Sequence, residues 1–166
     1  MDIFQFAKEK EEFSIDYYQE LADKTDNQGL KTIFKMLADE ERSHLKYVDQ
    51  MEQNQSVKVA DSKILDNAKQ IFTSMRKNAS NINFKMDEAA VYKKAGIYET
   101  ESENFYRKCA NEVINASQKE IFSKLADMEH QHYILMENIY NFLEAPKYFL
   151  ENAEICSFDD YPPNKL

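Results

Sequence analysis

Apolar side chains recur every three or four positions along most of this chain, the spacing that places them on one face of a helix. In the first stretch, from residue 2 to about 24, the residues on that face are Phe4, Ala7, Glu11, Ile15, Tyr18 and Ala22. Asp2 is predicted to cap the start of this helix, because a short acidic side chain can accept a hydrogen bond from the first backbone N–H groups. The turn-forming run Thr25–Gly29 is predicted to end it.

The same spacing predicts three more long helices, from about residue 30 to 53, from about 87 to 113, and from about 118 to 144. The long connection at about 54–87 carries its own shorter helix near 62–77. Such a crossover lets the third long helix start at the same end of the fold as the first. We therefore predict one helical domain over 1–145. We also predict a short tail over 146–166 that packs on this domain or on a second subunit.

The first helical hairpin is repeated 88 positions later in the chain. Leu37–His44 returns as Leu125–His132, and Glu-x-x-His is kept in both copies. Between Ala7 and His44, 14 of 38 positions match their partners, whereas unrelated segments would share about two or three. The repeat predicts an all-α, four-helix bundle built from two equivalent hairpins.

Composition supports long helices and excludes several kinds of partner. Two glycines and three prolines are too few for a β-rich fold of 166 residues. The formal charge of −9 argues against binding to nucleic acid or to an anionic membrane. No apolar run is long enough to span a bilayer, and the N-terminus lacks the pattern of a signal peptide. The two cysteines, Cys109 and Cys156, form no Cys-x-x-Cys pattern and are assigned no chemistry, so a cytoplasmic location is predicted.

Each long helix places one glutamate on its apolar stripe, and two of the helices add a histidine three residues later. These residues are Glu11, Glu41, His44, Glu99, Glu129 and His132. Buried carboxylates repel one another, and no Lys or Arg lies on the stripes near them. Two divalent cations would balance four carboxylates, and this doubled pattern is the ligand set of di-iron and di-manganese helical bundles. Mixed oxygen and nitrogen ligands suit iron or manganese better than calcium.

Other polar residues near these positions have competing interpretations. Tyr18 and Tyr106 follow Glu11 and Glu99 by two turns and are candidates to donate hydrogen bonds to carboxylates, with core packing as the alternative. His130 corresponds to Arg42 in the first copy and is expected to face outward. Glutamates off the shared stripes are expected to face solvent; they are Glu9, Glu12, Glu40, Glu101 and Glu103.

Two segments resemble the signatures of the ferritin-like superfamily, and within it the rubrerythrin group. They are Ala7-x-x-x-Glu11-x-x-Ser14-x-x-Tyr17-Tyr18 and Leu37–His44, and the likeness extends over about residues 3–144. The resemblance implies that the six Glu and His residues hold two irons, with Glu41 and Glu129 as the bridging pair. Rubrerythrins usually add a rubredoxin domain with two Cys-x-x-Cys knuckles, which this sequence does not contain. They also usually have an extra glutamate where Ser102 stands.

The resemblance implies a cytoplasmic di-iron oxidoreductase that reduces hydrogen peroxide or dioxygen with electrons from an external donor such as rubredoxin. The assembly that is usual in this group, together with the aromatic tail, predicts a homodimer. Three alternatives stay open: an iron-handling protein with ferroxidase activity, a dimanganese protein with catalase chemistry, and a metal-free helical interaction module.

Overall fold

The computed structural model of the protein describes residues 2–77, 89–145 and 149. Within these residues the chain forms five α-helices and no strand, which confirms the predicted all-α fold. The helices are α1 (Ile3–Lys24), α2 (Gln28–Glu52), α3 (Ile64–Lys77), α4 (Ala89–Glu112) and α5 (Ala116–Glu144). The predicted loop near 78–81, the region around Asp87, Cys156 and the tail other than Phe149 lie outside the described residues. Among the described helices, none is both long and apolar enough to cross a membrane.

Asparagine caps set where α2 and α5 begin. The Asn27 side chain accepts a hydrogen bond from the Leu30 N–H at 2.9 Å, so α2 starts at Gln28, two residues earlier than predicted. Asn115, the repeat equivalent of Asn27, accepts from the N–H groups of Ser117 and Gln118 at 2.9 and 3.2 Å. Asp2 caps α1 as predicted, with its side chain accepting from the Phe4 N–H.

A left-handed residue ends α2 before the crossover. Asn54 has a φ of 55°, and asparagine tolerates this conformation better than most residues. The Asn54 N–H donates to the Met51 carbonyl at 3.0 Å, and the Gln55 N–H donates to the Gln50 carbonyl at 2.9 Å. This pair of bonds is the Schellman arrangement, which satisfies carbonyl groups at a helix end and turns the chain away from the helix axis.

The described chain contains two compact units, and the first consists of residues 1–62 and 102–128. It contains the α1–α2 hairpin, the end of α4 and the start of α5. Its core includes Ala7, Val48, Met51, Val59, Tyr106, Phe122 and Leu125. At its surface Arg107 of α4 holds Asp127 of α5 at 2.7 Å, and it also holds Glu103 at 3.1 Å. The Arg107–Asp127 ion pair joins α4 to α5, whereas the Arg107–Glu103 pair lies within α4.

The second unit consists of residues 63–101 and 129–166. Here the crossover helix α3 buries Phe72 completely, with the Phe142 and Phe149 rings each 5.2 Å away from its ring centroid. The three rings pack edge to face, a favoured aromatic arrangement. Phe149 is the described part of the tail, and the packing predicted for the rest of the tail stays a prediction.

Gly96 lies inside α4 without a steric need for glycine. A Cβ at this position would meet Met136 Cβ at 3.6 Å and Tyr133 Cδ2 at 3.7 Å, which are ordinary van der Waals distances. We therefore expect Gly96→Ala to raise the free energy of unfolding by about 0.5–1 kcal/mol, because alanine loses less conformational entropy in a helix. Urea unfolding of the metal-free protein measures this change. A loss of stability would show that α4 and α5 approach each other more closely at Gly96 than these distances indicate.

Candidate metal centre

The first unit brings together three of the predicted ligands, Glu11 of α1 with Glu41 and His44 of α2. His44 Nδ1 lies 3.1 Å from Glu41 Oε2 and 3.6 Å from Glu11 Oε2. All three residues are at most 2% exposed. Each offers one ligand atom within 4.8 Å of the others. We call these residues the first Glu-Glu-His set.

The second unit contains the repeat-equivalent residues Glu99, Glu129 and His132, here called the second Glu-Glu-His set. His132 Nδ1 lies 3.7 Å from Glu99 Oε2. The ligand atoms of the three residues also lie within 4.8 Å of one another, and none of the residues is more than 2% exposed. Each set therefore gathers two carboxylates and one imidazole in an environment closed to solvent.

Tyr106 is hydrogen-bonded to the first set. Its hydroxyl donates to Glu11 Oε1, and the residue is fully buried. The Tyr106 ring is held between those of Phe105 and Phe122, with centroids 5.2 and 5.9 Å away. Packing thus fixes the hydroxyl that orients Glu11. Tyr18, its repeat equivalent, is 1% exposed and stacks on Phe34 at 6.5 Å.

Burial and mutual repulsion make the first set electrostatically costly without a cation. The pKa of Glu11 is raised from 4.5 to about 7, mainly by desolvation and next by the neighbouring negative charge of Glu41. His44 acts in the opposite sense by hydrogen bonding and by its charge when protonated. A bound cation would favour the ionised carboxylates much more strongly than one imidazole does.

This pKa shift predicts a pH dependence that Glu11→Gln removes. The folded protein holds a proton on Glu11 up to about pH 7, whereas the unfolded chain releases it near 4.5, so stability falls as pH rises between these values. Glu11→Gln cannot ionise. Relative to wild type, it should therefore gain on the order of 2–3 kcal/mol between pH 4.5 and pH 8. Urea unfolding at the two pH values, with a chelator present, measures the difference. Equal pH profiles for the two proteins would contradict the assigned shift.

The donor atoms of both sets fit a transition metal. Carboxylate oxygens and imidazole nitrogens together suit divalent iron or manganese, whereas calcium and magnesium prefer oxygen alone. Burial excludes bulk water, which strengthens the attraction between carboxylates and a cation. These residues could therefore hold metal, and their assignment as ligands stays a proposal.

Glu40 departs from the sequence-based expectation that it faces solvent. It is half-buried, and its two carboxylate oxygens lie 2.7 and 2.9 Å from the Ser62 hydroxyl, which donates to them. The prediction failed because Ser62 comes from the crossover, 22 residues away, and leaves no signal in the α2 pattern. Glu9, Glu12 and Glu101 are exposed as predicted.

Three other residues that were considered from the sequence, Glu103, His130 and Cys109, lie outside both Glu-Glu-His sets. Glu103, which was also expected to face solvent, is half-buried and pairs with Arg107. His130 is half-buried beside the Tyr133 ring, with centroids 5.9 Å apart. Cys109 is 2% exposed, and burial raises the pKa of its thiol to about 11. A thiol in this state is a weak nucleophile, so its position is explained by packing.

Comparison of the sequence with models of protein families gives a match to the model described as Rubrerythrin, over residues 2–140. No curated protein and no solved structure matches the chain. The matched range contains both Glu-Glu-His sets and both hairpins of the repeat.

Proposed function

The chain belongs to the rubrerythrin family, and from that membership we propose that it is a di-iron oxidoreductase that reduces hydrogen peroxide. The family supports a di-iron carboxylate protein, and the buried carboxylate and histidine groups could hold metal. The observation that carries the proposal is the presence of two buried Glu-Glu-His sets at repeat-equivalent positions. Dioxygen is the alternative oxidant.

We assign the metal ligands to the two sets, with Glu41 and Glu129 as the bridging carboxylates. Both sets consist of one glutamate plus Glu-x-x-His, the combination used in di-iron helical bundles. The close approach of His44 Nδ1 to Glu41 and Glu11 supports this assignment for the first set. Manganese fits the same donors, so iron is an inference from the family.

When bound, two Fe(II) ions would supply the two electrons that, with two protons, convert one hydrogen peroxide to two waters. The protein supplies the surroundings for this reaction. Tyr106 orients Glu11 through its hydrogen bond, and we propose that Tyr18, its repeat equivalent, also donates to a ligand carboxylate. The closed surroundings limit side reactions with water.

Regeneration of the reduced state needs a source of electrons. The sequence contains two cysteines, whereas a rubredoxin-type iron site needs four. We therefore propose that a separate carrier protein, such as a rubredoxin, delivers the electrons.

A homodimeric assembly and a cytoplasmic location are parts of the same proposal. Sedimentation of the purified protein tests whether it is a homodimer.

Iron handling is the second candidate function, favoured by Ser102. In the family pattern an extra glutamate usually stands at this position of the third bundle helix. Ser102 is 5% exposed, and its neutral hydroxyl supplies none of the negative charge that a glutamate would bring there. A centre with one acidic ligand fewer would still bind and oxidise Fe(II), with slower turnover of peroxide.

Stopped-flow mixing of the anaerobically reduced, iron-loaded protein with hydrogen peroxide tests the proposal. We expect oxidation of two Fe(II) per peroxide, followed by repeated turnover when a reductant is supplied. Oxidation by dioxygen with iron retention, but without peroxide turnover, would favour iron handling. Disproportionation of peroxide by the manganese-loaded protein without reductant would identify catalase chemistry.

A further inference from the structure

Glu40 is a half-buried carboxylate that the ligand pattern leaves without a role. It directly precedes Glu41 in α2, and one of its oxygens lies within 4.8 Å of a ring nitrogen of His44. The two residues are four positions apart on α2, so one helical turn brings them to the same side. Glu40 therefore adds a further negative charge beside the first Glu-Glu-His set.

The crossover holds Glu40 in this position. Ser62 donates its hydroxyl to the Glu40 carboxylate, at 2.7 and 2.9 Å from its two oxygens. The segment before Ser62 is itself fixed to α2, since the Ala60 N–H donates to the Tyr47 hydroxyl at 3.3 Å and Val59 is 8% exposed within the core. The crossover thus restrains the side chain beside the ligands as well as connecting the two hairpins.

The second hairpin lacks this feature. The repeat equivalent of Glu40 is Met128, which is buried at 7% exposure. The two hairpins have the same residues at every ligand position. Glu40 is therefore specific to the first hairpin and is not part of the repeated ligand pattern. Glu40 is half-buried beside other carboxylates. Its negative charge therefore increases the electrostatic repulsion among them, unless a bound cation offsets it.

We propose that Glu40, held by Ser62, is a positioning residue of the metal centre. This inference rests on the proposed metal site. It assigns to Glu40 the task of fixing the orientation of a ligand histidine and of increasing the attraction for cations. Metal-bound histidines commonly donate their second ring N–H to a carboxylate, directly or through water, and loss of such a partner typically costs 10–100-fold in metal affinity.

Glu40→Gln separates this role from a purely structural one. The glutamine amide oxygen can still accept the Ser62 hydrogen bond, so the crossover stays attached while the negative charge is lost. Co(II), titrated anaerobically against a competing chelator and followed by its visible absorption, serves as the probe. We expect about 10–100-fold weaker Co(II) binding by Glu40→Gln. The melting temperature of the metal-free protein should be no lower than that of wild type, because loss of the charge relieves repulsion among the carboxylates.

Two further variants make the test specific. Ser62→Ala keeps the charge but releases the carboxylate, and we expect a smaller loss of Co(II) affinity than for Glu40→Gln, with a shift in the absorption bands. Glu12→Gln removes an exposed acid from α1 and should bind Co(II) like wild type.

The outcomes distinguish this inference from the proposed function. Two Co(II) ions bound with equal affinity by wild type, Glu40→Gln and Ser62→Ala would overturn the role of Glu40 and leave the metal site intact. No Co(II) binding by wild type would overturn the metal site itself. If Glu40→Gln fails to fold, an unchanged affinity in Ser62→Ala still counts against the inference.

Discussion

Replacing both His44 and His132 by glutamine should abolish tight metal binding. Glutamine has nearly the volume of histidine and no imidazole nitrogen, so each Glu-Glu-His set loses its nitrogen ligand while packing is largely kept. Loss of an outer partner alone typically costs 10–100-fold in affinity. We therefore expect the double variant to bind Mn(II) or Fe(II) at least about 100-fold more weakly than wild type. Equilibrium dialysis with elemental analysis measures the bound metal.

His130→Gln is the matched control for this pair. His130 is the remaining one of the three histidines in the sequence and is half-buried beside Tyr133, outside both sets. Its replacement should leave two metal ions bound per chain. Equal metal content in His130→Gln and in the double variant would show that binding does not depend on the repeated Glu-x-x-His motif.

Metal loading should stabilise the folded protein by a large amount. At a free Mn(II) concentration about 100 times the dissociation constant, each ion adds about 2.7 kcal/mol, so two ions add roughly 5 kcal/mol. For a protein of this size, about 1 kcal/mol raises the melting temperature by about 2–4 °C, which gives a shift of roughly 10–20 °C. Mn(II) is preferable to Fe(II) because it does not oxidise readily during heating.

Calorimetry with and without excess chelator measures this shift. The same concentration of Mg(II), which prefers all-oxygen coordination and keeps its water ligands, should produce a much smaller effect. A melting temperature that Mn(II) does not change would mean that the buried carboxylates are accommodated by protonation alone, as the raised pKa of Glu11 permits in the metal-free state.

The helices and the two Glu-Glu-His sets could be predicted because their signals are local and repeated. A glutamate in an apolar stripe is conspicuous, and its recurrence 88 positions later separates Glu11 and Glu99 from the many solvent-facing acids. The residues at which the helices begin were predicted less accurately. Gly29 favoured a turn, whereas the Asn27 cap places it in the first turn of α2.

Features that depend on contacts between distant segments could not be predicted. The burial of Glu40 is decided by Ser62 of the crossover, which the periodicity of α2 does not register. The hydrogen bond from Tyr106 to Glu11 joins residues 95 positions apart, and the sequence left core packing open as the alternative. Gly96 shows the reverse case. A glycine inside a helix often marks a close approach of two backbones, but the atoms around Gly96 leave room for a methyl group.

The central claim is that six buried side chains of this chain hold a pair of metal ions. Anomalous diffraction from crystals of the manganese-loaded protein tests it most directly. We predict two anomalous peaks per chain, with ligand atoms from Glu11, Glu41, His44, Glu99, Glu129 and His132. A crystal that binds manganese elsewhere, or leaves these six residues without an anomalous peak, would contradict the assignment of the metal centre.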